Sequence, residues 1–195
     1  MSLEIKCYPK GMYGENTYLI TDEATGFKAV IDPGCFDTEI RIDIQNNAYL
    51  KYLLLTHAHE DHFLCVQQYM DEYSSAVFAA PEGDLELLRK GGCPEPKKLL
   101  REGDIITLGE TELRVIETPG HTGGGICFAT DREVFTGDTL FRLSVGRTDL
   151  ETGDWDTLMS SISEKLYSLS DDLAVYPGHG GPTTIGYEKK ANPFV

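Results

Sequence analysis

A chain of 195 residues is long enough for one domain with a sizeable core and short for two. Hydrophobic residues make up 41% and charged residues 25%, as in an ordinary globular protein, and no apolar run approaches the roughly 20 residues that span a bilayer. The formal net charge of −15 argues against nucleic acid as a partner, because phosphate recognition needs clustered Lys and Arg, and an anionic substrate would need a local basic residue.

Taken in chain order, the first third reads as β-structure. Residues 1–8 alternate like a strand and lack the long apolar stretch of a secretion signal, so the cytoplasm is the expected location. Residues 17–21 are apolar and β-branched, residues 22–26 supply a turn, and residues 27–31 return as the second arm of a hairpin. Asp32-Pro33-Gly34 stops that arm. Residues 49–55 form a nearly continuous apolar run, as in a strand buried on both faces. A helical stretch is predicted over residues 63–73, a short strand over 76–79, and a helix begun by Pro81. Strands follow at 105–108, 112–117, 125–129 and 133–136. Asp154 caps a helix whose apolar residues are Trp155, Leu158, Met159, Ile162, Leu166 and Leu169. Residues 173–176 read as another strand, and a last short helix covers 187–191. Strands in runs, with helices toward the middle and end, point to an α+β sandwich over a single domain of residues 1–195.

All five histidines fall in three loops that each follow a predicted strand. His57, His59 and His62 share the segment 56–62, His121 lies in Thr118-Pro119-Gly120-His121, and His179 follows Pro177-Gly178. Asp138 sits in a fourth such loop, Thr136-Gly137-Asp138-Thr139. A lone histidine is ordinarily a surface or satisfied core residue. A full set on strand-end loops, where rigid sheets present binding residues, points instead to metal. Imidazole and carboxylate are the ligands of borderline divalent ions such as zinc. His57 and His59 can share one ion across extended backbone, Asp61 and His62 can face a second, and the two oxygens of Asp138 can bridge them. Spacing alone supports a binuclear site without saying which residue serves which ion. Cys7, Cys35, Cys65, Cys93 and Cys127 form no C-x-x-C pair, so reduced thiols are expected. Cys65, three residues past His62, reads as a small buried apolar side chain. No Ser, Cys or Lys stands in a convincing triad pattern.

The segment Thr56-His57-Ala58-His59-Glu60-Asp61-His62 resembles the T-H-x-H-x-D-H signature of the metallo-β-lactamase superfamily, and His121, Asp138 and His179 match its later motifs in order and spacing. The resemblance covers essentially the whole chain and implies that superfamily's four-layer αββα sandwich. It implies that His57, His59 and His121 hold a first metal ion and Asp61, His62 and His179 a second. Asp138 is then the bridge, and Asp32 supports the site from behind. Two divalent ions are implied, zinc first, with iron or manganese also compatible.

Within the superfamily, Asp138 sets the chain apart from the true β-lactamases, which lack a bridging carboxylate at that motif. Gly137-Asp138-Thr139-Leu140-Phe141, Val145-Gly146-Arg147-Thr148-Asp149 and Tyr176-Pro177-Gly178-His179-Gly180 resemble compact glyoxalase II-like hydroxyacylglutathione hydrolases. That likeness implies cleavage of hydroxyacyl-thiol thioesters such as lactoylglutathione by water activated between two metals, with Asp61 as the catalytic carboxylate. The longer glyoxalase II enzymes carry a C-terminal helical domain that contacts glutathione; sixteen residues follow His179, so that domain is not expected here. Arg147 and Phe141 are the substrate-binding candidates, Arg147 toward an anion. Persulfide dioxygenases are similar too, with a single iron on residues matching His57, His121 and Asp138. Their last motif reads Ala-His-Asp where this chain has Gly178-His179-Gly180, which favours the hydrolase. Lactone or other ester hydrolysis is a further alternative. The expected partner is a small-molecule thioester, with no nucleic acid and no membrane.

Overall fold

The computed structural model describes residues 3–10, 13–44 and 49–195. The alternation at the N-terminus is realised as β1 (Leu3–Tyr8), antiparallel to β2 (Thr17–Asp22), which turns back into β3 (Lys28–Ile31). Met1 and Ser2 of the expected strand lie outside the described residues. From β3 onward the connections are crossovers, and β4 (Leu50–Leu54), β5 (Val77–Pro81) and β6 (Lys98–Leu100) add in parallel to complete a sheet in the order β1-β2-β3-β4-β5-β6. The crossovers carry α1 (Thr38–Ile44), α2 (Glu60–Phe63), α3 (Val66–Glu72) and α4 (Leu85–Lys90).

The second sheet opens with an antiparallel meander of β7 (Ile105–Leu108), β8 (Thr111–Glu117), β9 (Ile126–Ala129) and β10 (Glu133–Gly137). A small hairpin of β11 (Leu140–Phe141) and β12 (Ser144–Val145) follows, then α5 (Trp155–Ser160). The chain returns through β13 (Ala174–Pro177), parallel to β10, and ends in β14 (Thr183–Thr184) and α6 (Ile185–Ala191).

Alternation along the buried strands builds the layers. Ile31 and Leu54 of the first sheet join Leu113, Phe128 and Phe135 of the second in a central apolar layer. Their chain neighbours Val30 and Leu53 cluster with Ile40, Ile44, Val66 and Tyr69 of the helices on the outer face. On the far side, Val134 and Val175 pack with Leu158, Ile162, Leu166 and Ile185. Each fully buried side chain of this size contributes about 1.5–3 kcal/mol by leaving water. The result is the αββα sandwich expected from sequence.

Three details differ from the sequence reading. The helix predicted over 63–73 is broken at Leu64 and Cys65, because the Cys65 amide donates to the Pro33 carbonyl (3.0 Å) instead of continuing one helical path. Asp154 does cap α5, its Oδ1 accepting from the Thr157 amide at 2.8 Å, but Trp155 is 44% exposed and stands outside the buried stripe. Helix α1 was not anticipated, although Asp37 caps it by accepting from the amides of Glu39 and Ile40. Among the described residues no helix is long and apolar enough to cross a membrane.

Candidate metal centre

The carboxyl ends of β3 and β4 in one sheet, and of β8, β10 and β13 in the other, meet along one rim of the sandwich. Asp32 follows β3, the 55–62 segment follows β4, His121 lies beyond β8, Asp138 follows β10 and His179 follows β13. The rim is stitched across the sheets, since the Ile126 amide donates to the Thr56 carbonyl (2.9 Å) and the Asn16 amide to the Gly178 carbonyl (2.7 Å). Open sheets bind ligands at such strand ends.

All seven residues named from sequence as metal ligands converge there. The ligand atoms of His57, His59 and His121 lie within 4.8 Å of one another, as do those of Asp61, His62 and His179, and those of His57, His62 and Asp138. Asp138 stands between the groups: Oδ1 is 3.4 Å from His62 Nε2, and Oδ2 is 3.5 Å from both His121 Nε2 and His179 Nε2.

The far side of each ring decides which nitrogen points inward. Asp32 Oδ2 accepts from the Thr56 hydroxyl (2.8 Å), which leaves the Thr56 oxygen to accept from His57 Nδ1 (3.0 Å). The same Asp32 oxygen faces His62 Nδ1 at 3.0 Å, and the Arg147 carbonyl accepts from His121 Nδ1 at 2.7 Å. With the Nδ1 protons used outward, the Nε2 lone pairs of His57, His62 and His121 aim at the centre, as metal ligation requires. His57 Nε2, His62 Nε2 and Asp138 Oδ1 are buried without a hydrogen-bond partner, and buried polar atoms are rarely left so. Converging, orphaned donors of imidazole and carboxylate type fit divalent ions. Asp32 holds this geometry in left-handed backbone (φ 51°), a strained conformation for an aspartate, with its Oδ1 accepting from the Thr56 amide at 2.8 Å.

The electrostatics agree. Burial, with the charge of His62, drives His57 well below the usual imidazole range, and burial lowers His121 to about 4 despite its bond to the Arg147 carbonyl. Burial also opposes charge on His62, yet Asp138 and Asp32 overcome it and lift His62 to about 10. Burial raises Asp138 to about 6 against the pull of His62 and His179. His179 is raised by its bond to Asp61. Burial works against ionisation of Asp61, but His179 and His62 hold it below the usual carboxylate range. Three carboxylates, Asp32, Asp61 and Asp138, lie 3.0–3.7 Å from His62, and together they favour positive charge at this place.

The model of the metallo-β-lactamase superfamily matches residues 11–179, most of the chain. This chain belongs to the metallo-β-lactamase superfamily. It is 35% identical to the hydroxyacylglutathione hydrolase GloC of Haemophilus influenzae over 99% of this chain and 98% of that protein. Among solved structures it is similar to ETHE1 from Myxococcus xanthus (30% identity, TM-score 0.81, 99% of this chain and 84% of that one). It is also similar to BLEG-1, described as a B3 metallo-β-lactamase (32%, TM-score 0.85, 98% and 99%), and to TTHA1623 in a di-iron-bound form (33%, TM-score 0.83, 97% and 100%). The separation from β-lactamases expected on Asp138 is therefore not visible in overall similarity.

Around this superfamily centre the remaining candidates fall differently. Phe141 presents its ring edge-on to His179, centroids 6.1 Å apart. Arg147 contributes its carbonyl to His121, while its exposed guanidinium is bound bidentately by Asp149 at 2.6 and 2.7 Å. Its charge, close enough to help lower His59, is already offset by that carboxylate. Cys65, expected to be buried, is only half-buried; its thiol donates to the Gly34 carbonyl and burial pushes it up to about 11. Sequence reasoning missed Asp84, which is fully buried and accepts from the Ala58 and Gly124 amides and the Thr122 hydroxyl. It also missed Glu188, equally buried, which ties Leu143, Thr183 and Asn192 together. Thr56, part of the histidine motif, links Asp32 to His57 through its hydroxyl, a role the motif alone does not reveal.

Proposed function

We propose that this chain is a glyoxalase II-like thioester hydrolase working with two divalent ions. The observation that carries the reading is Asp138, whose two oxygens lie 3.4–3.5 Å from histidines of both ligand groups, the position of a bridge. His57, His59 and His121 would hold one ion, and Asp61, His62 and His179 the other. Such ions lower the pKa of water from ~15.7 toward ~7 and polarise a carbonyl as Lewis acids. Asp61 stays ionised at neutral pH, held down by His179 and His62, so its carboxylate can orient and take a proton from the attacking water. The thiol of the substrate, with a pKa near ~8.5, leaves readily as thiolate. Phe141 flanks His179 and would shield that side of the reacting group. Burial raises all five thiols, Cys65 to about 11 and Cys93 and Cys127 to about 12, which disfavours a cysteine nucleophile.

Metal analysis with an assay on lactoylglutathione tests the proposal. About two zinc ions per chain with thioester cleavage are expected. One iron per chain with oxygen consumption on a persulfide would replace the reading by a persulfide dioxygenase using His57, His121 and Asp138. His59→Ala should lower kcat/KM at least about 100-fold while the melting temperature moves little, because the half-buried ring sits on a loop anchored by buried strands. Full turnover by that variant would remove His59 from the site.

Zinc titrations at different pH should separate the two groups. Burial pushes His121 down to about 4 and holds His57 and His59 below the usual imidazole range, so at pH 7 their group has no proton to shed. His62, with its pKa raised to about 10, is protonated at pH 7 and must release that proton to ligate. Affinity of the second group should then fall at least about tenfold per pH unit on acidification from pH 8 to 6, His179 being raised as well, while the first changes little. Calorimetry in buffers of different ionisation enthalpy reads the proton directly; equal release at both steps would refute the assignment.

A further inference from the structure

Arg142 takes no part in the metal centre. It stands at the tip of the β11–β12 hairpin, exposed, with no hydrogen bond or ion pair among the described residues. With Pro182, Thr183, Thr184 and Tyr187 it lines a groove of about 370 Å³, within the size range of small-molecule sites. The groove's walls join the metal centre through the chain. Arg142 follows Phe141, whose ring edge meets His179, and Pro182 comes three residues after that histidine.

The walls are held in place by a buried carboxylate. Glu188 Oε2 accepts from the Leu143 amide and from Asn192 Nδ2, both at 2.9 Å, and Oε1 accepts from the Thr183 hydroxyl at 2.6 Å. These bonds pin both the hairpin tip and β14 to α6. They also hold Leu143 in left-handed backbone (φ 58°), a conformation a bulky apolar residue adopts only under constraint. With both oxygens so engaged and no exposed surface, Glu188 is unavailable to pair with Arg142 or to contact a ligand in the groove. The groove itself presents donors. They are the Arg142 guanidinium, the Tyr187 phenol, and the Thr184 hydroxyl, whose oxygen accepts from the Tyr187 amide while its hydrogen stays free.

In a chain of net charge −15, an unpaired arginine beside the centre offsets a field that otherwise repels anions. Arg147, which follows β12, is already bound by Asp149. We propose that the groove receives the carboxylate end of an anionic thioester, held by Arg142 and Tyr187, while the thioester carbonyl lies at the metal centre beyond Phe141. The inference rests on the hydrolase reading and names its substrate class.

Two thioesters with the same lactoyl group test it, one of glutathione and one of uncharged N-acetylcysteamine. Arg142→Ala should raise KM for the anionic thioester about tenfold with kcat nearly constant, and Arg142→Glu further. The ratio of anionic to neutral kcat/KM should fall accordingly, and Arg142→Lys should recover much of it. A ratio indifferent to Arg142→Glu, or one that falls instead with Arg147→Ala, overturns the proposal. If the wild-type protein cleaves neither thioester, the hydrolase reading fails and binding decides the groove separately. Calorimetry with S-methylglutathione should then show at least tenfold weaker binding to Arg142→Glu, and equal binding by both proteins would refute the groove.

Discussion

Gly178→Ala should yield a folded protein that no longer retains its metal. A Cβ at this position would lie 2.1 Å from Asp138 Oδ1, 2.8 Å from His62 Cε1 and 3.0 Å from the Gly137 carbonyl carbon. The backbone cannot retreat, because the Gly178 amide donates to the Gly137 carbonyl and its own carbonyl accepts from Asn16, both at 2.7 Å. The carboxylate must therefore rotate away, and with it goes the bridge, since its oxygens lie near histidines of both ligand sets. Overpacking of this kind costs about 1–3 kcal/mol of stability, which a domain of ordinary stability survives. Misplacing a reacting or ligating group by about 1 Å can cost about 100-fold in rate, so activity should fall by at least that factor. The check is metal content after dialysis together with a thermal melt and an assay. Gly181→Ala is the control, since a Cβ there meets nothing within 4 Å, and it should behave like the wild type. Full metal content and turnover in Gly178→Ala would mean that Asp138 is not held as described.

Why so much of the centre could be read from sequence, and its supports could not, follows from the residue types. Histidine is scarce, with five in the chain, so its concentration in strand-end loops stands out against background. The paired strands were readable because alternation along residues 105–108 and 111–117 matches a sheet with one polar face. Asp84 and Glu188 carried no such signal. In a chain with 32 acidic residues, a carboxylate in Glu82-Gly83-Asp84 or on the last helix looks like solvated surface, and only the tertiary fold buries it. β6 and β14, three and two residues long, are too short for periodicity to register and exist because a neighbouring strand offers its edge. The break at Cys65 depends on the Pro33 carbonyl, which is remote in sequence. Arg142 and Arg147 are both exposed arginines near Gly146. What distinguishes them is the presence of Asp149 against one guanidinium and its absence from the other.

Asp84→Ala should weaken the centre from a distance, although Asp84 is none of its ligands. Its Oδ2 accepts from the Ala58 amide (2.9 Å) and the Thr122 hydroxyl (2.7 Å), and its Oδ1 from the Gly124 amide (2.7 Å). Ala58 lies between His57 and His59, and Thr122 follows His121, so one carboxylate holds both arms of the first ligand group. The contact is close because glycine meets glycine there: a Cβ on Gly124 would fall 2.2 Å from the Asp84 amide nitrogen and from the Gly83 carbonyl carbon. Burial raises the Asp84 pKa against the pull of its three donors, so the ionised group is held at some cost to stability and is retained for the geometry it imposes. Removing the side chain orphans buried donors at about 1–3 kcal/mol each, partly offset by relief of the buried charge. A net loss of about 2–4 kcal/mol would lower the melting temperature by roughly 5–15 °C in a domain of this size. Asp84→Asn is the sharper probe. Its amide group must face either the Ala58 or the Gly124 N–H, so one loop is released while volume is conserved. Zinc affinity at the His57–His59–His121 group should drop about 10–100-fold in both variants, while the Asp61–His62–His179 group keeps its affinity. An equal loss at both groups would assign Asp84 to general stability, and an unchanged first group would remove it from the centre altogether.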